Sequence, residues 1–528
     1  MNAIYDTVVV GYGPAGAVAA ASVAAGGHRV AVIERQPNMY PLPRMATFDG
    51  EAFRTIQAIA GDRVDEALAT SVVLDDCDFV DADHAPLIPI DWSGTQCGYP
   101  AHSSVFQPDV ERVAQESIAE MSNVDVFRGT EVVKIEQDSE AVQLTVRPKG
   151  TTDNDRARTI TAKYVVGADG TNSFTRRAVG IEMKDYGLDE RWLNFDMDKF
   201  KELPDKFSKL TLVMDPRRPY MWMPLGSDRQ RFEFRVDPSE TDEEMGEEAV
   251  VWEFLAEHGI TREDASICRQ VVYPYATRVA KAWRSGRVFI AGDAAHTMTP
   301  YMGQGGCSAI RDGRNIGWKL NLVLAGAVEE SVLDLYQQER EPHVTEIVMR
   351  SDQLARLINI VDPSAAEDRN HALRQAPAGD AEPFPKLTVG VLHHESDGSI
   401  SEVTGTPAPQ GLLSRDGVTL RGDEHLGHGF QLISRSHPNL TETERETFES
   451  IGGHVGVIED STSPDAILDV DGTYRNFLDS HSADFMIIRP DWAVFGVGPA
   501  TAVSDYSSEL FELLNVAKHV GPEQVAAS

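Results

Sequence analysis

Gly11-Tyr12-Gly13-Pro14-Ala15-Gly16 is the stretch that decides the fold of the first part of the chain. The apolar segment Ile4 to Val10 precedes it and is typical of a buried strand. An alanine-rich helix is predicted from Ala15 to Ala25, and a second strand from His28 to Glu34. The order strand, glycine loop, helix and strand predicts a βαβ unit that binds a dinucleotide.

Each glycine of this stretch has a physical role. Gly11 permits the tight turn, Gly13 lets the backbone approach a pyrophosphate, and Gly16 lets the helix pack closely on the strand. Glu34 lies 18 residues after Gly16, where a carboxylate accepts hydrogen bonds from ribose hydroxyls. The alternative is a glycine loop of an ordinary α/β fold. We predict a cofactor site at Gly11, Gly13, Pro14, Ala15, Gly16, Glu34 and Arg35.

The charge of the chain argues against some partners. The 528 residues include 48 Lys and Arg against 83 Asp and Glu, a net charge of −35. This charge repels polyphosphate backbones and anionic bilayers, so we expect neither a nucleic-acid nor a membrane partner. The four cysteines form no CxxC pair, and no secretory signal is recognisable before the first strand. We therefore expect a reduced, cytoplasmic protein without a metal site.

The order of predicted elements divides the first two thirds of the chain into two domains. Residues 1–75, 105–180 and 280–361 are predicted to form a discontinuous Rossmann-like domain. Residues 76–104 and 181–279 alternate short strands with charged connectors. This alternation predicts a mostly antiparallel sheet inserted into the first domain, with the α/β class for the whole chain.

Two later segments extend the pattern. Gly167-Ala168-Asp169-Gly170 and Gly292-Asp293-Ala294-Ala295-His296 both follow predicted strands. With the first glycine stretch they resemble the class A flavoprotein monooxygenases, the p-hydroxybenzoate hydroxylase superfamily, from Tyr5 to about His343. The resemblance implies one tightly bound, non-covalent FAD, NADPH or NADH as a transient reductant, and O2 as co-substrate.

The same resemblance implies further FAD contacts. Asp169 belongs to a segment that serves FAD and transient NAD(P)H, and Asp293 accepts from a ribityl hydroxyl. Arg44 and Gln107 are expected at the phosphates or ribityl chain, although a surface arginine and an ordinary helix-start glutamine are the alternatives. A helix opening near Gly303 is expected to stabilise negative charge at the pyrimidine edge of the flavin. The remaining predicted contacts are Val133, Pro300, Gly303, Gln304, Gly305, Gly306 and Cys307.

Within the superfamily, the chain is most similar to phenol-type hydroxylases, especially 3-(3-hydroxyphenyl)propionate hydroxylases. The similarity rests on 192–196, 215–220 and 336–340. It implies hydroxylation of a phenolic compound through a flavin C4a-hydroperoxide. An FAD-dependent reductase, dehydrogenase or epoxidase is one alternative, and a non-catalytic FAD redox sensor is another.

The last part of the chain is expected to form its own domain. Four prolines mark residues 362–386 as a linker. Residues 387–528, with Arg489-Pro490-Asp491-Trp492 at a turn, resemble the thioredoxin-like tail of phenol-hydroxylase relatives. No cysteine follows Cys307, so dithiol exchange is excluded. We expect this domain to serve packing or oligomerisation, for example in a homodimer.

Three residues are predicted to act on the substrate. Asp49 follows Arg44 where the chain should pass the isoalloxazine, and it is the candidate for acid/base or polar positioning; an ordinary surface or capping aspartate is the alternative. Tyr220 and Trp222 are candidates to line the substrate pocket, with core packing as the alternative. Arg217 and Arg218 would be placed to attract a carboxylate tail, although exposed arginines need no such role.

Overall fold

The computed structural model describes residues 4–151, 156–375, 384–458 and 467–516. Among the described residues up to 180, five α-helices are interspersed with runs of strands. They are β1 (Tyr5–Val10), α1 (Pro14–Ala24), β2 (Val30–Glu34), β3 (Thr47–Asp49), α2 (Gly50–Ala60), α3 (Val64–Ala69), β4 (Val72–Val73), β5 (Asp76–Val80), β6 (Pro86–Asp91), β7 (Thr95–Gln96), β8 (Tyr99–Pro100), β9 (His102–Ser104), α4 (Gln107–Ala119), β10 (Val124–Arg128), β11 (Thr130–Gln137), β12 (Val142–Pro148), β13 (Arg158–Gly167) and α5 (Phe174–Ala178).

Beyond residue 180, long strands come first and long helices follow. The elements are β14 (Met183–Lys199), β15 (Leu210–Val213), β16 (Tyr220–Pro224), β17 (Arg229–Arg235), α6 (Asp242–Met245), α7 (Glu248–Glu257), β18 (Ala265–Ala280), β19 (Arg284–Ser285), β20 (Val288–Ile290), β21 (His296–Thr297), α8 (Gly305–Leu324), α9 (Leu335–Ile358) and α10 (Pro363–Gln375).

The first domain is built on a sheet with the strand order β10-β2-β1-β13-β12-β11. β1 pairs in parallel with β2 and β13, and β20 pairs in parallel with the last residues of β13. The carboxyl ends of β1, β13 and β20 therefore lie at one edge, and the loops at Gly11, Gly167 and Gly292 follow from them. This arrangement confirms the predicted Rossmann-like fold.

The second sheet has the order β21-β18-β14-β17-β16-β15-β5-β6. Its pairs are antiparallel except for β5 with β15, which run in parallel. The central strands β14 and β18 are long, and they pair along most of their length. The predicted insertion of a mostly antiparallel sheet is therefore confirmed.

The last domain is a smaller α/β unit. Its elements are β22 (Leu412–Arg415), β23 (Val418–Arg421), α11 (Gly422–Leu426), β24 (Gln431–Ser434), α12 (Glu442–Ser450), β25 (His454–Val457), β26 (Leu468–Asp469), α13 (Thr473–Ser480), β27 (Phe485–Ile488), β28 (Val494–Gly498) and α14 (Val503–Leu513). The main sheet has the order β25-β24-β27-β28, with β24 parallel to β25 and antiparallel to β27. A βαβ unit followed by a β-hairpin and a helix is thioredoxin-like, as predicted.

Part of the segment predicted as a linker is a helix. Its prolines suggested irregular chain, but Pro363 stands at the first position of α10, where proline is compatible with a helix. Arg369 Nη2 donates to Met214 O at 2.7 Å, which ties α10 to the inserted sheet. The stretch 376–383 lies outside the described residues. Within those residues, no helix is both long enough and apolar enough to cross a membrane.

Helices α1 and α8 cross so closely that only glycine fits at the contact. A Cβ atom at Gly313 would lie 2.4 Å from Ala15 O, and one at Gly317 would lie 2.4 Å from Ser22 Cβ. A Cβ at Gly292, whose φ is +60°, would lie 3.2 Å from Ala15 Cβ. The loop after β20 is therefore packed against the first turn of α1.

Replacing Gly313 by alanine is expected to lower the free energy of unfolding by about 3 kcal/mol, since overpacking costs roughly 1–3 kcal/mol and a backbone oxygen cannot move aside easily. Urea unfolding followed by circular dichroism measures this change. Gly246→Ala is the control, because Gly246 is exposed at the end of α6, and we expect a change within about 0.5 kcal/mol. An unchanged unfolding midpoint for Gly313→Ala would contradict the helix contact.

Candidate cofactor and substrate cleft

The loop before α1 presents an open helix end. Ala17 N donates to Gly13 O at 2.9 Å as the first intrahelical bond, so the N–H groups of Ala15 and Gly16 have no intrahelical acceptor. A Cβ atom on Gly13 would meet no atom within 4 Å, whereas one on Gly11 would lie 2.2 Å from Ala168 O. Gly11 is thus needed for the fold, and Gly13 faces the space where an anion would bind.

Glu34 holds this loop from the end of β2. Its Oε2 accepts from Tyr12 N at 2.9 Å, and its Oε1 accepts from Gln36 N at 2.6 Å. Each carboxylate oxygen can accept a further bond, so Glu34 can still receive a ribose hydroxyl. Arg35 beside it is exposed, and Val133 is half-buried at an irregularity in β11.

The structure joins the segments around Asp169 and Asp293. Thr171 Oγ1 donates to Asp293 Oδ2 at 3.2 Å. Arg176 donates to both segments, from Nη1 to Ala294 O at 3.0 Å and from Nη2 to Thr171 O at 3.1 Å. Asp169 turns inward and accepts from Thr175 N at 2.9 Å, so it stabilises its own loop. The two segments therefore form one wall of the cleft.

Asp293 follows β20 and lies beside Thr171. Its side chain is exposed to solvent, yet the surrounding protein desolvates the carboxyl and raises its pKa, against the lowering influence of His296, Thr171 and Arg44. Burial also raises the pKa of Tyr273, and Asp293 raises it further while Arg44 lowers it. Asp293, Tyr273 and Arg44 are therefore close enough to influence one another electrostatically.

A glutamine on α4 positions the Arg44 segment. Gln107 Oε1 accepts from Arg44 N at 2.8 Å and from Met45 N at 2.7 Å. Its Nε2 donates to Glu111 Oε1 at 2.6 Å. The Arg44 side chain stays exposed over the ring of Tyr40, 4.8 Å from the centroid. The structure thus brings together the two residues predicted at the FAD phosphates or ribityl chain, and the arginine side chain is exposed to a ligand.

The beginning of α8 is a second open helix end. Pro300–Met302 form a 3-10 turn, and Gly303 follows with φ +65°. Ser308 N donates to Gln304 O at 2.8 Å, so the N–H groups of Gly305, Gly306 and Cys307 lack an intrahelical acceptor. The Cys307 side chain is buried, and burial raises its pKa. Donors and the positive end of the helix dipole therefore coincide at this place.

Asp49 is the first of three charged or polar groups that link α2 to α8. Its Oδ1 accepts from Ala52 N at 2.9 Å, so it caps α2, while Oδ2 pairs with Arg311 and accepts from Gln304 Nε2 at 3.3 Å. Arg311 Nη1 also donates to Gln304 Oε1 at 2.9 Å. Burial acts to raise the pKa of Asp49, but Arg311 outweighs it and holds the pKa below its ordinary value.

Tyr220 and Trp222 are not brought to this cleft. Both lie on the outer face of the inserted sheet, where they pack with Phe232, Phe234 and His258. Alternate residues of a strand point to opposite faces of the sheet. Met221, which lies between them, and its cross-strand partner Glu233 therefore point to the inner face. For Tyr220 and Trp222 the structure shows the core packing that sequence alone left as the alternative.

The inner face of the inserted sheet carries a buried polar cluster. Arg231 and Arg269 both contact Asp196, at 2.7 Å and 3.3 Å. Arg231 Nη2 also donates to Pro43 O at 3.2 Å, next to Arg44. The inner face therefore supports the Arg44 segment, and its two arginines share one carboxylate.

Two site residues on α8 were not predicted from the sequence. Arg311 binds Asp49, as described above. Asp312 Oδ2 accepts from Gly292 N at 3.0 Å and pairs with His296 Nε2 at 2.6 Å, while Arg340 Nε donates to its Oδ1 at 2.9 Å. The spacing of Gly313 and Gly317 is the sequence feature that indicates these residues. Glycines four residues apart lie on one face of a helix and permit a close helix contact. Charged side chains buried next to such a contact must be paired.

These features fit an extended dinucleotide carrying a ring system. The free N–H groups at the start of α1 can bind a pyrophosphate, and Asp293 can accept hydrogen bonds from a polyol chain. The free N–H groups at the start of α8 can stabilise an electron-rich ring edge. Residues 4–351 match the family model described as an FAD binding domain. The chain is also 33% identical over 503 residues to the probable NADH-specific resorcinol 4-hydroxylase of Rhodococcus jostii, covering 93% of this chain and 92% of that protein.

The chain belongs to the FAD-dependent aromatic monooxygenase family. Other members are similar too: the 3-(3-hydroxy-phenyl)propionate/3-hydroxycinnamic acid hydroxylase of Mycolicibacterium gilvum is 29% identical, covering 97% of this chain and 92% of that protein. Residues 405–513 match the HcaD C-terminal domain. FAD is therefore the cofactor of this monooxygenase, with a nicotinamide reductant and O2.

Solved structures of flavoenzymes share the fold over 97–98% of this monooxygenase. The flavin-dependent monooxygenase PieE, in complex with FAD and substrate, superposes with a TM-score of 0.78 at 19% identity, covering 97% of this chain and 99% of that one. Aklavinone-11 hydroxylase with FAD and aklavinone gives a TM-score of 0.75 at 21% identity, covering 98% and 100%.

Exchanging Gly13 for alanine should separate binding from folding. Since the added Cβ meets no protein atom, we expect the apo-protein to unfold at the same temperature as the wild type. Close backbone approach to the pyrophosphate would be lost, so FAD should bind at least about 10-fold more weakly, or about 1.4 kcal/mol. Gly11→Ala is the comparison, because it should destabilise the apo-protein as well. Fluorescence titration and differential scanning calorimetry give both quantities; wild-type FAD affinity in Gly13→Ala would place the pyrophosphate elsewhere.

Glu111, the partner of Gln107, should make stability depend on pH. Burial raises its pKa from 4.5 to about 7, so the folded protein favours the protonated form. Ionisation of Glu111 therefore lowers the free energy of unfolding. This loss is absent below pH 4.5, grows as pH rises, and is complete above about pH 7. By linkage it reaches at most about 3 kcal/mol. Urea unfolding of Glu111→Gln and wild type between pH 5 and 8 should show the variant gaining relative stability as pH rises; a constant difference would refute the shift.

Proposed function

We propose that this monooxygenase hydroxylates a small, uncharged phenol of the resorcinol type and uses NADH as its reductant. The relative named an NADH-specific resorcinol 4-hydroxylase supports both parts of the proposal. The alternative substrate class, a phenol with a carboxylate tail, is suggested by the relatives named 3-(3-hydroxy-phenyl)propionate hydroxylases.

The observation that carries the proposal is the pairing of the arginines on the inserted sheet. On the inner face, Arg231 and Arg269 share Asp196 at 2.7 Å and 3.3 Å, and Arg231 also lies 3.8 Å from Glu233. Arg217 and Arg218, which were candidates to attract a carboxylate, pair with Asp215 and with Glu240 at 2.6 Å each. A carboxylate tail that bound Arg231 or Arg269 would have to displace one of their buried partners, and leaving a buried charge unpaired is costly. An uncharged ring needs no such exchange.

The cofactor has defined binding groups in this proposal. The N–H groups of Ala15 and Gly16 bind the pyrophosphate, Glu34 receives the ribose, and Asp293 accepts from the ribityl chain. When bound at these groups, FAD would supply the hydride acceptor for NADH and the activation of O2 for transfer to the ring. The N–H groups of Gly305 and Gly306 stabilise the negative charge that develops at the pyrimidine edge.

Asp49 is proposed to position rather than to transfer a proton. Both of its oxygens already accept hydrogen bonds, and its lowered pKa keeps it ionised with Arg311. Asp49 thereby holds Gln304, the residue directly before α8, in place. The apolar and aromatic surround of Tyr273, which includes Trp192 and Tyr301, is proposed to exclude water from the reacting ring.

The organisation of the chain follows the same proposal. Residues 1–75, 105–180 and 280–361 would bind FAD, residues 76–104 and 181–279 would bind the phenol, and residues 387–528 would form the third domain. We also propose that the enzyme works in the cytoplasm and that it is a homodimer. Light scattering of the purified holoenzyme would test the oligomeric state.

A substrate comparison tests the proposed function. NADH oxidation, O2 uptake and product mass are measured with resorcinol, with 3-(3-hydroxyphenyl)propionate and without a phenol. We expect resorcinol to stimulate oxidation at least about 10-fold over the carboxylated compound, equivalent to about 1.4 kcal/mol, and to gain one oxygen atom. A preference for the carboxylated phenol would contradict the argument from paired arginines. Stimulated oxidation without oxygen incorporation would favour a reductase or dehydrogenase instead.

A further inference from the structure

The carboxyl-terminal domain inserts one turn into the FAD-binding domain. This turn, Arg489 to Trp492, lies between β27 and β28 and contacts α2, α8 and α9. The Trp492 side chain is completely buried. Its Nε1 donates to Thr55 Oγ1 on α2 at 3.2 Å. A residue of the last domain therefore ends in the core of the first one.

Two arginines hold the indole from the other domain. Arg54 on α2 places its Cζ 4.4 Å from the Trp492 ring centroid, and Arg314 on α8 places its Cζ at 4.7 Å. We call Trp492, Arg54 and Arg314 the tryptophan clamp. Cation–π contacts strengthen when water is excluded, and both guanidinium groups are buried. The clamp thus couples α2 to α8 through a side chain that belongs to neither.

The two arginines differ in how their charge is balanced. Arg54 binds Asp423 through two bonds of 2.7 Å. Arg314 contacts no carboxylate among the described residues, and it donates instead to Pro490 O at 2.7 Å and His428 O at 2.8 Å. Burial accordingly lowers the pKa of Arg314 to about 10. The direct contacts of the Arg314 guanidinium are these carbonyls, the Ser22 hydroxyl at 3.5 Å and the indole, while Asp491 and Asp423 act on it at longer range. Because Pro490, Asp491 and Trp492 all belong to the turn, the stability of the Arg314 charge depends on the position of the turn.

A second set of buried charges fixes the other side of the turn. Arg489 Nη2 donates to Glu339 Oε2 on α9 at 2.7 Å, and Lys319 Nζ on α8 donates to the same oxygen at 2.6 Å. Asp491 Oδ2 accepts from Asn315 Nδ2 at 2.7 Å and from Trp318 Nε1 at 3.1 Å. The turn therefore has one seating in which all of these groups are paired.

Both clamped helices begin at the cleft. Arg54 lies five residues after Asp49, and Arg314 lies nine residues after Gly305. At 1.5 Å per residue these separations are about 7.5 Å and about 13.5 Å along the helices. Arg311 links the two helices at the cleft through Asp49 and Glu51, and the clamp links them deeper in the protein. Their relative position is held at two levels.

We propose that Trp492 is a positioning residue of the flavin site: it sets the separation of α2 and α8 and thereby aims the open end of α8 at the flavin ring. The part of this inference that concerns coupled hydroxylation rests on the proposed function. The part that concerns the flavin itself requires only that FAD binds. The carboxyl-terminal domain then contributes to the flavin environment without contacting the flavin.

Trp492→Leu tests the inference in the FAD-loaded, full-length protein. Shifting the α8 N–H groups away from the ring should weaken the stabilisation of reduced flavin, so the midpoint potential of bound FAD should become more negative. The amount of hydroxylated product formed per NADH consumed should fall at least about twofold. The remaining NADH oxidation should produce hydrogen peroxide from O2. Trp492→Phe, which keeps an aromatic ring, should restore most of both values.

Trp252→Leu is the matched control. Trp252 on α7 also carries an arginine over its ring, Arg262 at 4.6 Å, but lies on the outer side of the inserted sheet. In Trp252→Leu, the midpoint potential of bound FAD and the amount of product per NADH consumed should equal those of the wild type. Equal potentials in folded Trp492→Leu and Trp252→Leu would overturn the inference. If Trp492→Leu does not fold, Arg314→Lys replaces it, and an unchanged potential in that variant would overturn the inference equally.

The potential measurement separates this inference from the proposed function. If the wild type hydroxylates no phenol, the proposed function fails, but the midpoint potentials of the variants still decide the role of Trp492. Hydrogen exchange in the apo-protein adds a readout without cofactor: peptides covering 49–57 and 305–314 should exchange faster in Trp492→Leu than in Trp252→Leu.

Discussion

The contact between α1 and α8 is the constraint on which the cleft depends. Gly313 and Gly317 let the backbone of α8 approach Ala15 and Ser22 more closely than any side chain would permit. Both helices begin with N–H groups that have no intrahelical acceptor, so the contact brings two positive helix ends into one site. One end suits the phosphates of FAD and the other its ring. A wider helix crossing would move the two ends apart.

Much of the fold followed from local sequence patterns, because the residues that determine it are neighbours in the chain. The glycine stretch predicted α1 and its flanking strands to within a residue or two, and the alternation of strands predicted the inserted sheet. The start of α10 was harder, since a proline is found both in linkers and at a first helical position. Composition cannot distinguish these two uses.

The site was predicted less completely, because much of it depends on contacts between distant segments. Asp169 was expected to face the cofactor, yet it caps its own loop and Thr171 makes the contact with Asp293. Tyr220 and Trp222 are on a strand of the right sheet but on its outer face, and a shift of one residue exchanges the faces. The pairing of Asp49 with Arg311 joins residues that are 262 positions apart. Sequence spacing carries no information about such a pair.

The buried charges beneath the last domain have a consequence for how such chains can evolve and be engineered. Loss of the domain by truncation would leave Arg54 without Asp423 and Glu339 without Arg489, their partners across the boundary. Replacing the domain by one from a distant relative would require a matching set of charges in the same places. The two domains thus form a single unit of inheritance, and recombination between genes should preserve the boundary residues together or not at all.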